Sequence, residues 1–167
     1  MHQLVAILIS IYIFPSLSLA QNQQPSTETL FKEYSKALYQ IESVSVEANK
    51  KNSVGSGFQI AAQGYVVTNY HVVSDAVLYP HSFYIRTINV DKVEENAQVV
   101  DFDVVHDLAI LKIKKASEIF FSLGISSDFN KGKKIFSMCN PLDLGMTVIE
   151  GLANGYMDKA IYQKMLT

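Results

Sequence analysis

Two residues of this chain have the types and setting to move protons, and each sits beside an apolar, β-type run. His71 lies in "GYVVTNYHVV", residues 64–73, where a run that reads as a buried strand gives way to Asn69 and a helical turn over residues 70–74. Asn69 is the expected cap of that turn, because an Asn side chain readily accepts bonds from the amides that follow it. An imidazole at a strand-to-turn junction is held by rigid backbone with one face open. That suits a general base with an ordinary pKa of about 6.5, and equally a structural histidine closing a strand. Asp107 stands immediately before "LAILKI". There Leu108, Ile110 and Lys112 face one way and Ala109, Leu111 and Ile113 the other. A carboxylate opening so apolar a run needs a partner if it is buried, since an unpaired buried charge is costly. It is an ordinary turn acid if it is solvated. His106 is not the expected partner, because adjacent strand residues point to opposite faces. The chemistry that would join the two is an acid holding the imidazole in one tautomer and stabilising its protonated form. The expected contact is His71 Nδ1 on the Asp107 carboxylate at about 2.7–3.0 Å.

Other reactive side chains fit less well. Cys139 is the only cysteine, so no intramolecular disulfide forms. It lies in "IFSMCNP" with no histidine close in sequence, and reads as a packed or partly buried structural thiol. His71, His81 and His106 fall on separate segments without metal-ligand spacing, so neither a metal nor a cofactor is expected.

The elements that must position the pair are short and closely spaced. "TETLFKEYSKALYQI" opens with Thr27 as candidate N-cap and Glu28 in the first turn, and Leu30, Tyr34 and Leu38 recur on one helical face. Beyond this helix the period changes to two. "IESVSVE", "GSGFQIAA", "GYVVTN", "SFYIRTI", "AQVVDFD", "DLAILKI", "KKIFSM" and "MTVIEGLANG" read as strands of an all-β barrel or sandwich. Gln63 and Gly64 supply the turn of the clearest hairpin, with glycine free to take a positive φ.

Composition fits a globular domain: 167 residues, 49% hydrophobic, 18% charged, formal net charge −2. The fourteen Lys and Arg residues are scattered, which argues against a nucleic-acid partner. Lys131, Lys133 and Lys134 form the only basic cluster and read as a solvated turn. The first twenty residues differ. An apolar run from Leu4 to Phe14 is followed by Pro15 and by Ser18-Leu19-Ala20, with small residues at the two positions a signal peptidase reads. This run is expected to be an export signal cleaved after Ala20, giving a periplasmic or secreted protein. An uncleaved membrane anchor is the alternative, although a transmembrane helix needs about 20 apolar residues.

"SVGSGFQIAAQGYVVTNYHVV", then "VVDFDVVHDLAILKI", then "GISSDFNKGKKIFSMCNPLDLGMTVIEGLANG" together resemble the trypsin-like serine proteases of the HtrA (Deg) branch, over roughly residues 37–156. The resemblance implies a trypsin-like double β-barrel, with the first barrel complete and the second incomplete, following the short N-terminal helix already read from residues 27–41. It implies His71 as general base, Asp107 as the carboxylate that orients it, and a protein or peptide as substrate. Cys139 occupies a position where the family usually has glycine. No segment resembles the family's G-N-S-G-G-P, so the nucleophile serine is expected to be absent from this chain. Ser117, Ser122, Ser126, Ser127 and Ser137 lack that glycine frame, and Ser56, flanked by glycines, belongs to a hairpin. The implied layout is a signal peptide over 1–20, a linker and helix over 21–36, and a truncated peptidase domain over 37–167. Within that domain the first barrel spans about 37–115 and the start of the second 116–167. The expected function is the N-terminal part of an exported serine endopeptidase, inactive by itself. The alternative is a protease-like binding module without catalysis; the oligomeric state is left open.

Overall fold

The computed structural model describes residues 26–124, 130–139 and 147–155. The leader over 1–20, Ser126, Ser127 and most of the Asn140–Pro141 loop lie outside these residues. Helix α1, Thr27–Tyr34, is capped by Ser26, whose hydroxyl accepts the Thr29 N–H at 3.1 Å. The cap is therefore Ser26 and not Thr27, whose hydroxyl instead donates to Glu150 at 3.2 Å. A 3-10 turn over Ser35–Ala37 ends the helix, and Leu38 already belongs to the first strand. The four-residue spacing Leu30–Tyr34–Leu38 thus outruns the helix, because Leu38 is drawn into the sheet.

Six strands then close on themselves. β1 (Leu38–Ser45), β2 (Lys51–Ala61), β3 (Tyr65–Thr68), β4 (Phe83–Ile88), β5 (Glu94–Asp103) and β6 (Leu108–Lys112) form an antiparallel barrel in the order β1-β2-β3-β6-β5-β4, with β4 returning to β1. Closure removes every exposed edge. Helix α2, Tyr70–Leu78, interrupts the strands between β3 and β4. A second sheet pairs β7 (Lys134–Cys139) with β8 (Thr147–Leu152), antiparallel.

The alternation read in "DLAILKI" sets the barrel interior. Ala109, Leu111 and Ile113 are buried, and they pack with Tyr39, Ile41, Val66, Ile85 and the α2 residues Val72 and Val73. Gly64 turns the β2–β3 hairpin at φ +81°, as the positive-φ expectation requires. The other hairpin glycines act through space. A Cβ on Gly55 would lie 2.5 Å from Val72 Cγ2, and one on Gly57 would lie 2.8 Å from Val66 Cγ1 and 3.0 Å from the Val67 carbonyl. Two side-chain clusters tie segments of the barrel together. Gln59, fully buried, donates to the Ala61 and Ser117 carbonyls and accepts from the Ser117 N–H and the Tyr39 hydroxyl. Glu42, 2% exposed, takes two bonds from Arg86, at 2.6 and 2.9 Å.

Candidate active site

His71 is carried by the first turn of α2, whose placement the core dictates. Val72 and Val73 insert inward, Val72 against Gly55, and Ser53 Oγ donates to the Val72 carbonyl at 2.6 Å. With those two side chains fixed, helical geometry turns residue 71 outward. Its ring is 70% exposed.

Asp107 belongs to the turn between β5 and β6, not to the strand it precedes. Its φ is +53°, a left-handed value that Asp tolerates better than most residues. Its side chain is 44% exposed, so the buried-carboxylate setting does not hold; the partner is there all the same. His71 Nδ1 lies 2.7 Å from Asp107 Oδ2, and the His71 backbone N–H donates to Asp107 Oδ1 at 2.9 Å. A carboxylate can only accept, so Nδ1 carries the proton and Nε2 of the neutral ring keeps its lone pair outward. Desolvation pushes the Asp107 carboxyl up, but the His71 amide, the His71 ring and its charge, and the Asn69 amide together hold it below the usual carboxylate value. It is therefore an anion at neutral pH.

Asn69 corrects the sequence reading. It occupies the N-cap position of α2, but its side chain makes no capping bond and donates to Asp107 instead. The aspartate's reach explains this, since Asp107 Oδ1 already takes the amide that a cap would take. The β5–β6 turn that carries Asp107 holds a second pair that pattern reading missed: His106 Nδ1 is 2.6 Å from Asp103 Oδ2, and the His106 N–H donates to Asp103 Oδ1. The His106 ring holds the Asp103 carboxyl below its usual value. The Asp-x-x-His spacing at 103–106, typical of an Asx-type turn, was the available signal. Tyr70 and Phe102 stack beside these turns, with ring centroids 5.4 Å apart.

The remaining candidates lie elsewhere. His81 is exposed in the turn before β4. Ser56 is within β2, and its carbonyl accepts from Thr68 Oγ1 at 2.8 Å. Ser117 belongs to the Gln59 cluster, and Ser122 and Ser137 are exposed. Cys139 is half-buried in β7, its Sγ 4.0 Å from Thr147 Oγ1. Lys131 and Lys133 are exposed at a turn, and Lys134 pairs with Glu150 at 2.7 Å.

A closed six-stranded antiparallel barrel with an imidazole–carboxylate pair between its β3–α2 junction and its β5–β6 turn is the first half of the trypsin-like class of folds. The family model described as a trypsin-like peptidase domain matches residues 55–164, and the chain belongs to that trypsin-like peptidase family. Within it, the similarity is to the HtrA branch. The chain is 30% identical over 145 residues to Protease Do-like 1, chloroplastic, of Arabidopsis thaliana, covering 81% of this chain and 32% of that one. It is 35% identical over 101 residues to a probable periplasmic serine endoprotease DegP-like of Bartonella henselae, covering 60% of this chain and 19% of that one. The chain thus spans about a third or less of the curated relatives it matches. Among solved structures, the HtrA-type protease AlgW with tripeptide superposes with a TM-score of 0.66 at 27% identity, over 78% of this chain and 40% of that one. Deg5 superposes with a TM-score of 0.65 at 26% identity, over 77% and 62%.

Proposed function

We propose that this chain is the N-terminal part of an exported serine endopeptidase, in which His71 is the general base and Asp107 the carboxylate that orients it. The observation that carries the reading is the doubled contact between the two residues. One carboxylate oxygen takes Nδ1–H and the other takes the backbone N–H of the same histidine. Both the ring's tautomer and its distance from the acid are then set before any substrate arrives. In the reaction, Nε2 would take the proton of a serine hydroxyl as its oxygen attacks a peptide carbonyl, and would return it to the leaving amine. Asp107 would stay ionised and stabilise the intervening imidazolium.

The 167 residues contain no serine in the family's glycine-rich frame. The nucleophile, and the amides that stabilise the oxyanion, belong in this reading to sequence the chain does not include. By itself the chain is inactive, because a base accelerates nothing without a hydroxyl delivered to about 3 Å. Export rests on the apolar leader and on relatives named as periplasmic or chloroplastic proteins. No helix among the described residues is long and apolar enough to cross a membrane. The layout of leader over 1–20, linker and helix over 21–36 and peptidase domain over 37–167 belongs to the same reading.

The deciding experiment compares the 167-residue chain with the product of its natural coding sequence read further downstream. Each is assayed for cleavage of unfolded casein and for labelling by a fluorophosphonate, which marks only an activated serine. The longer product is expected to be active and labelled, and His71→Ala to abolish both signals. An inert longer product would favour the binding-module alternative, and labelling of the 167-residue chain would reveal a nucleophile within it.

A further inference from the structure

The side chain of Asn69 is placed where its own helix would use it, and is used elsewhere. Its backbone is extended, φ −82° and ψ 145°, the conformation of an N-cap. Its amide nitrogen nevertheless lies 3.0 Å from the Asp107 carbonyl and 3.2 Å from Asp107 Oδ2. The capping of α2 passes to Asp107, whose Oδ1 accepts the His71 N–H, one of the helix's orphan donors.

We propose that Asn69 is a positioning residue for the His71–Asp107 pair: its amide holds both the backbone and the carboxylate of Asp107, fixing the carboxylate edge that meets the imidazole. The inference rests on the function proposed above and adds a third member to that site.

Two features of Asp107 create the need. Its backbone is left-handed, a conformation that persists in a non-glycine residue only where surrounding contacts hold it. The bond from Asn69 to the Asp107 carbonyl is such a contact. The carboxylate plane, moreover, turns about a torsion that is broad and roughly two-fold, so no rotamer preference fixes it. Hydrogen bonds must do so, and with the side chain nearly half exposed, water competes for every one of them. The amide of Asn69 supplies a donor that water cannot hold in place. Asparagine suits the task by its chemistry. Serine offers a cap oxygen but does not reach Asp107, while aspartate lacks the donor and sets a second negative charge against the first. His71 on α2 is the titratable group in contact with Asp107, while Asp103 and His106, on the same β5–β6 turn, pair with each other.

The test separates positioning from capping. Asn69→Ser removes the donor to Asp107 but leaves an oxygen able to cap α2; Asn69→Ala removes the donor and offers no such oxygen. NMR of the 167-residue chain would follow two signals, the far-downfield Nδ1–H proton of His71 and the acid titration of the Asp107 carboxyl carbon. Both variants are expected to lose or broaden the proton signal and to move the Asp107 midpoint upward. If Asn69→Ser keeps both signals as in the parent, the proposal is overturned. A change confined to Asn69→Ala overturns it too, since the residue then acts through the cap. In the longer, serine-bearing product Asn69→Ser should lower kcat on the order of tenfold with KM little changed. An inactive parent product would count against the proposed function and leave the NMR result standing.

Discussion

Asp107 and His71 are joined twice, through the side chain of one and both the ring and the backbone of the other: Oδ2 to Nδ1 at 2.7 Å, and Oδ1 to the amide nitrogen at 2.9 Å. The aspartate therefore serves as the helix cap of α2 from a different segment of chain, and the geometry of the pair is tied to the stability of the helix that carries the histidine.

Asp107→Ala should for that reason lower stability as well as disrupt the pair. Losing an N-cap acceptor costs about 1 kcal/mol, within a range of about 0.5–2. Urea denaturation of the chain would measure it. In the longer product, Asp107→Asn should keep much of the cap but favour the wrong tautomer, with turnover falling on the order of 10⁴-fold. A variant as stable and as active as the parent would contradict both roles.

Stability should also carry an acid limb attributable to Asp107. Its carboxyl is held below the ordinary value in the folded state. The contribution is thus fully present above about pH 4, the unfolded value, and fades as pH falls through the lower folded one. Asp107→Asn, which cannot titrate, should lose stability less steeply over that interval. Denaturation midpoints taken from about pH 5 downward would show the difference, and identical slopes in parent and variant would refute it.

Gly57→Ala is expected to destabilise the barrel by about 1–3 kcal/mol. The added methyl meets the Val66 side chain at 2.8 Å, Ile41 Cδ1 at 3.1 Å and the Val67 carbonyl at 3.0 Å; backbone gives way less readily than side chain. Gly55→Ala presses first on the Val72 side chain, next to His71, and should be read out at the site. Shifting Val72 moves the first turn of α2, so the His71 Nδ1–H signal is expected to change more than the melting temperature does.

Gln59→Leu should cost about 2–4 kcal/mol, since it strips partners from the buried Tyr39 hydroxyl and the Ser117 N–H. Burial already pushes the Tyr39 hydroxyl up, in keeping with a group held away from water. Hydrogen exchange should quicken at the Ser117 and Phe121 amides, which the Gln59 side chain and carbonyl hold. Unchanged protection there would show that the segment leaving the barrel is anchored elsewhere.

Local pattern was enough to find the strands, and in "LAILKI" alternation also recorded which face is dry: Ala109, Leu111 and Ile113 turn inward as its period of two required. It also marked His71 and Asp107 as candidates, while leaving each open to a structural reading until the resemblance to a protease family named their roles. Pattern erred where a side chain had a choice of partners. Asn69 in an N-cap position and Thr27 at a helix start both look like caps, and both bond to residues distant in sequence, Asp107 and Glu150. The glycines flanking Ser56 read as hairpin residues, while the space they leave belongs to Val72 and Val66. Periodicity is a property of neighbours along the chain, so the sequence determined strands, turns and candidate residues. Which of several hydrogen-bond partners a polar group takes depends on how barrel closure brings the β3–α2 junction against the β5–β6 turn, 36 residues apart, and only the tertiary structure decided that.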